Sequence, residues 1–341
     1  MDAGRLLEVL RAAAGAPGLE FDGQPEPLTG GFWAEIVAFS LKDPPAGWPR
    51  DLVLRLMPYP APARKETVVQ TAVAAAGFPT PAVRASGGPY DGLGRAFMVM
   101  DRAPGAPLLS GLTGLGAVAS ALGTLRQIPE LLAATMADLH ALDPEPVRRQ
   151  LEPDGDVPIS VSGLLAWLRQ AAGEYHRPDL VAAAMWLENH PPPRAAEVIC
   201  HGDLHPFNLL ADAPRVTVLD WSSALLAPRA YDLAFTSLLL GEPPLIVPST
   251  VRPFVRRIGG GLARRFVRLY DRHANVTTDP DELRWHQGVG CLRSLVEVAG
   301  WVEEGVVDTR AGHPWLVTGP ALAGRLTALT GSRVEALVQK S

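Results

Sequence analysis

Cysteine is scarce in this chain: Cys200 and Cys291 are the only two in 341 residues. They are too few and too far apart to staple a small scaffold, and each reads as a small buried apolar side chain. Long apolar runs are missing as well. No stretch approaches the roughly eighteen uninterrupted apolar residues of a membrane-crossing helix. The first fifteen residues interleave Asp, Arg and Glu with Leu and Val and so lack the core of a secretion signal. These absences point to a cytoplasmic protein with no membrane partner. A basic excess is also lacking. The formal net charge is −5, whereas chains that bind nucleic acid ordinarily carry a basic face or stripe, so no nucleic-acid partner is expected. Neither an internal repeat nor a low-complexity tract is visible.

What remains is an ordinary globular composition, 47% hydrophobic and 20% charged, at a length with room for two domains or lobes. Chemistry-bearing side chains concentrate between Val198 and Trp221. An apolar Val198-Ile199-Cys200 leads into a loop that holds His201, Asp203, His205 and Asn208. Leu209-Leu210 and Val216-Thr217-Val218-Leu219 then flank a turn-rich Ala-Asp-Ala-Pro-Arg, a pattern that predicts a hairpin with Asp220 at a strand end.

Asp203, Asn208 and Asp220 offer hard oxygen. Mg²⁺ takes one or two such oxygens from protein and the rest from water and phosphate. Asp203 lies five residues before Asn208, the Asp-x-x-x-x-Asn spacing of a kinase catalytic loop, in which the Asp takes the substrate hydroxyl proton and the Asn holds metal. The spacing makes Asp203 the base and Asn208 and Asp220 the metal ligands. A second reading is open. His201, Asp203 and His205 alternate along an extended segment and so share a face, which suits the divalent-metal cluster of a hydrolase. Against it, no further His or Cys group follows at ligand spacing. Taken singly, His201 and His205 serve equally well as hydrogen-bonded scaffold.

The run HGDLHPFN followed by VTVLDW resembles the signature of the aminoglycoside phosphotransferase and choline kinase-like enzymes, and the resemblance extends from about Leu28 to Phe235. It implies an α+β, protein kinase-like two-lobe fold, with a small antiparallel-sheet N-lobe and a larger, mainly helical C-lobe. The implied division is 1–100 for the nucleotide-binding lobe, 101–106 for a hinge and 107–341 for the catalytic and substrate-binding lobe. Gly30-Gly31, between the first two strands, would be the phosphate-covering loop, where glycine lets backbone N–H groups approach phosphate. Asp51 to Met57 alternates as a strand, with Val53, Arg55 and Met57 on one face and Leu52, Leu54 and Leu56 on the other. A basic residue among apolar ones wants an anion. In the resembling family this strand usually carries a phosphate-binding Lys, and Arg55 is a departure, since Arg and Lys are not interchangeable. The bland alternative is a solvent-facing edge residue. Glu66 is the candidate ion-pair partner of Arg55, as in the kinase Lys–Glu pair. Phe97 to Ala103 resembles the strand and hinge whose backbone meets the adenine edge. That makes Met100 a nucleotide-contact candidate, although Phe97, Val99 and Met100 are apolar side chains of a kind more often found in a core, and the expectation rests on the hinge.

Helices are expected at 3–14, 64–76, 129–142, 162–174 and 178–189, a loop at 145–160, and a helix beginning in Ala227 to Ala234 with Asp232 near its start. The resemblance makes Asp232 a brace for the catalytic loop. The implied activity is transfer of the γ-phosphoryl group of ATP or GTP, with Mg²⁺, to a hydroxyl of a small molecule. A catalytically silent nucleotide-binding protein would keep the fold, with the Arg55 departure as its support. The acidic stretch from Asp279 to Asp308 contains Trp285 and Trp301, and acids attract amines while Trp faces stack on cations. An acceptor bearing an ammonium is therefore expected.

Overall fold

The structure, a computed structural model, describes residues 2–28, 34–108, 117–151, 157–212, 215–243, 245, 250–310 and 313–336. Ten helices are described: α1 (Ala3–Ala14), α2 (Pro60–Ala75), α3 (Ala117–His140), α4 (Glu145–Leu151), α5 (Val161–Glu174), α6 (Pro178–Asn189), α7 (Ala230–Gly241), α8 (Arg252–Ala274), α9 (Pro280–Glu303) and α10 (Pro314–Thr330). The strands are β1 (Glu26–Leu28), β2 (Glu35–Ser40), β3 (Asp51–Met57), β4 (Val83–Gly87), β5 (Ala96–Asp101), β6 (Ala106–Pro107), β7 (Glu197–Cys200), β8 (Leu209–Asp212), β9 (Arg215–Val218) and β10 (Leu225–Pro228). They belong to two compact units, one comprising Met1–Ser110, Glu145–Val157 and Pro206–Ala224, the other Gly111–Pro144, Pro158–His205 and Leu225–Ser341.

The first unit is built on an antiparallel sheet of order β1-β2-β3-β5-β4. The alternation expected for β3 is present. Leu52, Leu54 and Leu56 join Phe97, Val99 and the α1 residues Leu6 and Leu10 in one apolar cluster. On the opposite face, Val53 and Met57 pack with Met98, Met100 and Ala63 of α2. Each fully buried leucine of this kind stabilises the unit by about 2 kcal/mol. Helix α1 has the expected bounds, with Asp2 accepting from Gly4 N and Arg5 N at its start and Gly15 in the left-handed region at its end. Helix α2 begins at Pro60, not at Arg64: Pro60 stands at the first helical positions, where its missing N–H costs nothing, so the proline-rich link becomes the first turn. Residues 145–151 form α4, not loop. Arg148 and Arg149 each approach Glu145 at 3.6 Å, and Val147 and Leu151 are buried. The expected hairpin is β8 with β9, extended by β6. Thr80 Oγ1 donates to Val218 O at 2.9 Å and accepts from Trp221 Nε1 at 2.9 Å, which holds the strand end beside Phe78.

The second unit is mainly helical, with β7 and β10 as its antiparallel pair. Ala227 and Pro228 pair with Val198 and Glu197 in β10 and do not open a helix; Pro is tolerated at a strand end because no ladder donor is needed there. Helix α3 starts at Ala117 and carries Pro129 inside it, so that proline does not mark a helix start. Helix α7 is buried along most of its length, from Ala230 to Leu238, and packs with Val289, Leu292 and Leu295 of α9 in the largest apolar cluster. Both cysteines are buried and free. Among the described residues, no helix is long and apolar enough to cross a membrane.

Gly259 of α8 lies against the end of α7: a Cβ built there would meet the Leu240 carbonyl oxygen at 2.4 Å and that of Gly241 at 3.1 Å. Replacing a mid-helix glycine with alanine usually gains about 1 kcal/mol. Here the neighbour is backbone and cannot swing aside, so Gly259→Ala should instead destabilise by roughly 1–3 kcal/mol, read as a lower urea midpoint. An unchanged or raised midpoint would mean that the two helices are free to separate.

Candidate active site

In the first unit, three of the residues picked out from the sequence meet. Arg55 Nη1 lies 2.6 Å from Glu66 Oε1, and Nη2 lies 3.7 Å from Asp220 Oδ2. Arg55 and Glu66 are both buried, at 9% and 2% exposure, which removes the edge-residue reading. The contact with Glu66 is one of charges more than an aligned hydrogen bond, since Arg55 Nε and Glu66 Oε1 find no hydrogen-bond partner among the described residues. Burial pushes the Glu66 carboxyl up to about 7 against the pull of Arg55. For Arg55, burial disfavours the charge, but Glu66 and then Asp220 outweigh it and raise its pKa.

Asp220 stands just past β9 with φ 65, a left-handed backbone that Asp tolerates better than most side chains. Its Oδ1 accepts from Ser222 Oγ at 2.7 Å, and its side chain is 38% exposed. Asn208 closes a short 3-10 turn, Pro206–Asn208, and its carbonyl accepts from Leu219 N at 2.9 Å. The hairpin therefore brings the Asn208 backbone beside the residue that precedes Asp220. A carboxylate open to solvent and an amide oxygen, without thiol or imidazole, form a donor set that fits Mg²⁺.

In the second unit, the loop after β7 is held from inside. The buried Asp232 carboxylate accepts from His201 N at 2.8 Å and Gly202 N at 2.6 Å. His140 Nε2 lies 3.2 Å from the same carboxylate, and its Nδ1 is 2.7 Å from Tyr270 Oη. Asp232 is in the first turn of α7, and the donors it satisfies belong to the loop. Asp203 is partly exposed, with His205 Nε2 at 3.5 Å and Arg293 Nη2 at 3.9 Å from its Oδ1. Burial raises the Asp203 pKa, but His205, then Arg293 and His201, outweigh that and hold the carboxyl below its usual value. A carboxylate kept ionised can accept a proton, which is what a general base requires.

These arrangements, a cation bridging two carboxylates and a loop aspartate kept ionised, are those of phosphoryl transfer. The model of the phosphotransferase enzyme family (APH) matches residues 38–286. The chain belongs to the phosphotransferase enzyme family. It is accordingly a small-molecule kinase with an alcohol group as acceptor, and its fold is α+β and protein kinase-like. The match begins after the Gly30-Gly31 segment and, at its other end, runs past Phe235 to the start of α9. No protein in a comparison with curated sequences matches the chain. Among solved structures, a candidate aminoglycoside phosphotransferase of Ralstonia eutropha superposes with TM-score 0.66 at 18% identity, over 97% of each chain. The aminoglycoside phosphotransferase APH(2")-IIIa, in complex with GDP and kanamycin, gives 0.56 at 17% identity over 94% of this chain and 97% of that one. Macrolide 2'-phosphotransferase MphH of Brachybacterium faecium gives 0.51 at 20% identity, again over 94% and 97%.

The remaining sequence-derived positions divide. Gly30 and Gly31 lie outside the described residues. Met100 is buried in the sheet face shared with α2, with Gln70 Nε2 at 3.3 Å from its sulfur. His201 is fully buried, and its Nδ1 accepts from Asp203 N at 3.2 Å, a scaffold position. His201, Asp203 and His205 do not form a metal-binding group; among the described residues that proximity belongs to His140, Cys200 and Asp232, where the carboxylate already receives two loop N–H groups. Arg293 was not picked out. Its signal was an arginine in the apolar run Cys291-Leu292-Arg293-Ser294-Leu295, because a charge on a buried helix face needs a partner.

The Arg55–Glu66 pair yields a pH-dependent prediction. A carboxyl raised in the folded state favours folding below its unfolded pKa, and this contribution is lost as pH rises through about 7. Arg55→Ala removes the pull that limits the rise and leaves a lone buried acid, at a cost of roughly 3 kcal/mol. The deficit relative to the parent protein should be smaller near pH 5 than near pH 8 in urea unfolding. A deficit independent of pH would show that Glu66 does not titrate with the fold.

Proposed function

We propose that this kinase moves the γ-phosphoryl group of a nucleoside triphosphate, ATP or GTP, to a hydroxyl of a small molecule. Asp203 acts as base, Asn208 and Asp220 hold Mg²⁺, and Arg55, oriented by Glu66, clamps phosphate. The observation that carries this reading is Arg55 in contact with both Glu66 and Asp220, the cation–glutamate–aspartate arrangement that a kinase needs around a triphosphate. Mg²⁺ bound there supplies neutralisation of the charge on the transferring and leaving phosphates. The protein's own groups do the rest. Arg55 offers a fork of donors, Asp203 orients the acceptor hydroxyl and takes its proton, and both positions are set before substrate arrives. In the same reading, residues 1–100 form the nucleotide lobe, with Gly30 and Gly31 over the phosphates and Met100 at the base. Residues 101–106 are the hinge, and 107–341 carry the acceptor. The GDP seen with APH(2")-IIIa supports a nucleotide co-substrate, and the need for one fits a cytoplasmic site of action.

For the acceptor, the aminoglycoside and macrolide enzymes among the neighbours support a hydroxylated small molecule. The case for an ammonium now rests on Glu297. Trp285 and Trp301 are buried, and Arg310 already lies 5.5 Å over the Trp301 ring. Glu303 is exposed at the end of α9. Glu297, in contrast, accepts from Trp315 Nε1 at 3.1 Å and is coupled in charge to Arg293 and Asp203, although burial raises its carboxyl above the usual value against the pull of Arg293. Nearby His313 is pushed down to about 4 by burial and Arg310, so it is neutral at physiological pH and adds no repulsion.

Two measurements follow. Asp203→Asn should lower kcat by about two to four orders of magnitude while nucleotide affinity by calorimetry stays intact, because the base touches the acceptor; near-normal turnover would sink the assignment. If the acceptor carries an ammonium, Glu297→Gln should raise its KM roughly tenfold, as loss of a hydrogen-bonded charge does, with KM for nucleotide unmoved. A neutral or anionic best acceptor with an unaffected variant would remove the amine.

A further inference from the structure

Arg293 has no part in the roles assigned so far, yet its guanidinium touches the loop that carries the proposed base. It projects from α9 with a side chain only 15% exposed. Nη1 donates to the Gly202 carbonyl at 2.7 Å and lies 3.4 Å from Tyr231 Oη, while Nη2 stands 3.9 Å from Asp203 Oδ1. The guanidinium carbon lies 4.5 Å from the centre of the Phe235 ring. Tyr231 and Phe235 are one turn apart on α7, the helix that also supplies Asp232. A cation taken this far from water is costly unless its surroundings compensate it, and here ring, hydroxyl, carbonyl and carboxylate do so together.

The Gly202 peptide is the reason this matters. Gly202 has φ 75, a left-handed conformation open to glycine and strained for most other residues. The peptide units on either side of it set the direction in which Asp203 leaves the loop. Asp232 fixes the N–H groups of His201 and Gly202, and Arg293 fixes the Gly202 carbonyl. The turn is thus gripped by an anion on its donors and a cation on its acceptor.

We propose that Arg293 is a positioning residue for Asp203, orienting the loop through the Gly202 carbonyl while its second terminal nitrogen faces the Asp203 carboxylate. This rests on the reading of Asp203 as base. The charged and titratable groups around the pair are His201 and His205 on the loop, Tyr231 and Asp232 on α7, Glu297 on α9, and Arg310 and His313 beyond it. Arg293 joins the Gly202 carbonyl and the Asp203 carboxylate through the two ends of one guanidinium.

Two substitutions separate the two functions. Arg293→Gln keeps a donor for the carbonyl but removes the charge, whereas Arg293→Lys keeps the charge without the fork. In steady-state kinetics, Arg293→Gln should lower kcat by about tenfold or more, leave KM for nucleotide unchanged, and move the acid limb of the kcat profile to higher pH, because a positive neighbour that favours the carboxylate is gone. Arg293→Lys should return the limb to its parental position with kcat only partly restored. Carbon-13 NMR of labelled aspartate side chains, assigned against Asp203→Asn, reads the same shift without turnover. An unmoved Asp203 titration in Arg293→Gln, or the same loss of thermal stability in both variants with no change in the pH profile, would leave Arg293 a packing residue. If Asp203→Asn keeps parental turnover, the base assignment fails instead, and the NMR titration still decides whether Arg293 tunes that carboxylate.

Discussion

A buried carboxylate that need not react governs the geometry around Asp203. Asp232 lies inside α7 at 1% exposure, and a charge so placed is tolerated only when donors surround it. It finds them in two consecutive backbone N–H groups of the loop and in His140. The constraint works in both directions. The loop satisfies the carboxylate, and the carboxylate holds a left-handed glycine one residue before the proposed base. Remove the acid and two buried N–H groups lose their acceptor, so the same contact that lets α7 sit in the core makes the loop a fixed object.

The first unit has its own version of this logic. Arg55 is the departure from the family's usual lysine, and the structure shows how the site accommodates it. The guanidinium is long and forked enough to reach Glu66 with one nitrogen and to approach Asp220 with the other. A lysine would place a compact point charge between those acids. With both acids facing one cation, the ionisation of Glu66 depends on what Arg55 is doing, and a polyanion arriving at Arg55 would compete with both acids for it. In the proposed role of Arg55 as phosphate clamp, nucleotide binding and local stability would be linked through one side chain.

Much of this was legible before any coordinates. The hairpin and the two-faced pattern of β3 follow from short-range periodicity, which carries physical information about local structure, whereas the Asp203–Asn208 spacing comes from a catalytic-loop motif and the Arg55–Glu66 pair from the family resemblance. What could not be read has a common cause in tertiary context. Pro60 and Pro129 look like punctuation but occur in a first turn and in a helix interior; residues 145–151 look like a charged loop but bury Val147 and Leu151. Ala227 and Pro228 become strand because β7 offers a partner. Arg293 stands 90 residues from Asp203 in the chain, and no local pattern links them. The left-handed backbone at Asp220 is likewise a property of where the hairpin ends, not of composition.

The same limit applies to the acceptor. The Trp and acid residues between Asp279 and Asp308 share a stretch of sequence, but folding sends Trp285 and Trp301 into the core, Glu303 to solvent and Glu297 towards the charges around Asp203. A shared stretch is therefore a weaker guide than coupling to Asp203. The most direct measurement is to incubate the protein with Mg²⁺ and ATP or GTP labelled with oxygen-18 in the γ-phosphoryl group, across aminoglycosides, macrolides, choline-like amines, amino alcohols and sugars, and to weigh the products. The account predicts that an acceptor gains one labelled phosphoryl group in a reaction that Mg²⁺ or Mn²⁺ sustains. An acceptor cleaved without gaining phosphate, by protein that carries one tightly held Zn²⁺, would contradict it.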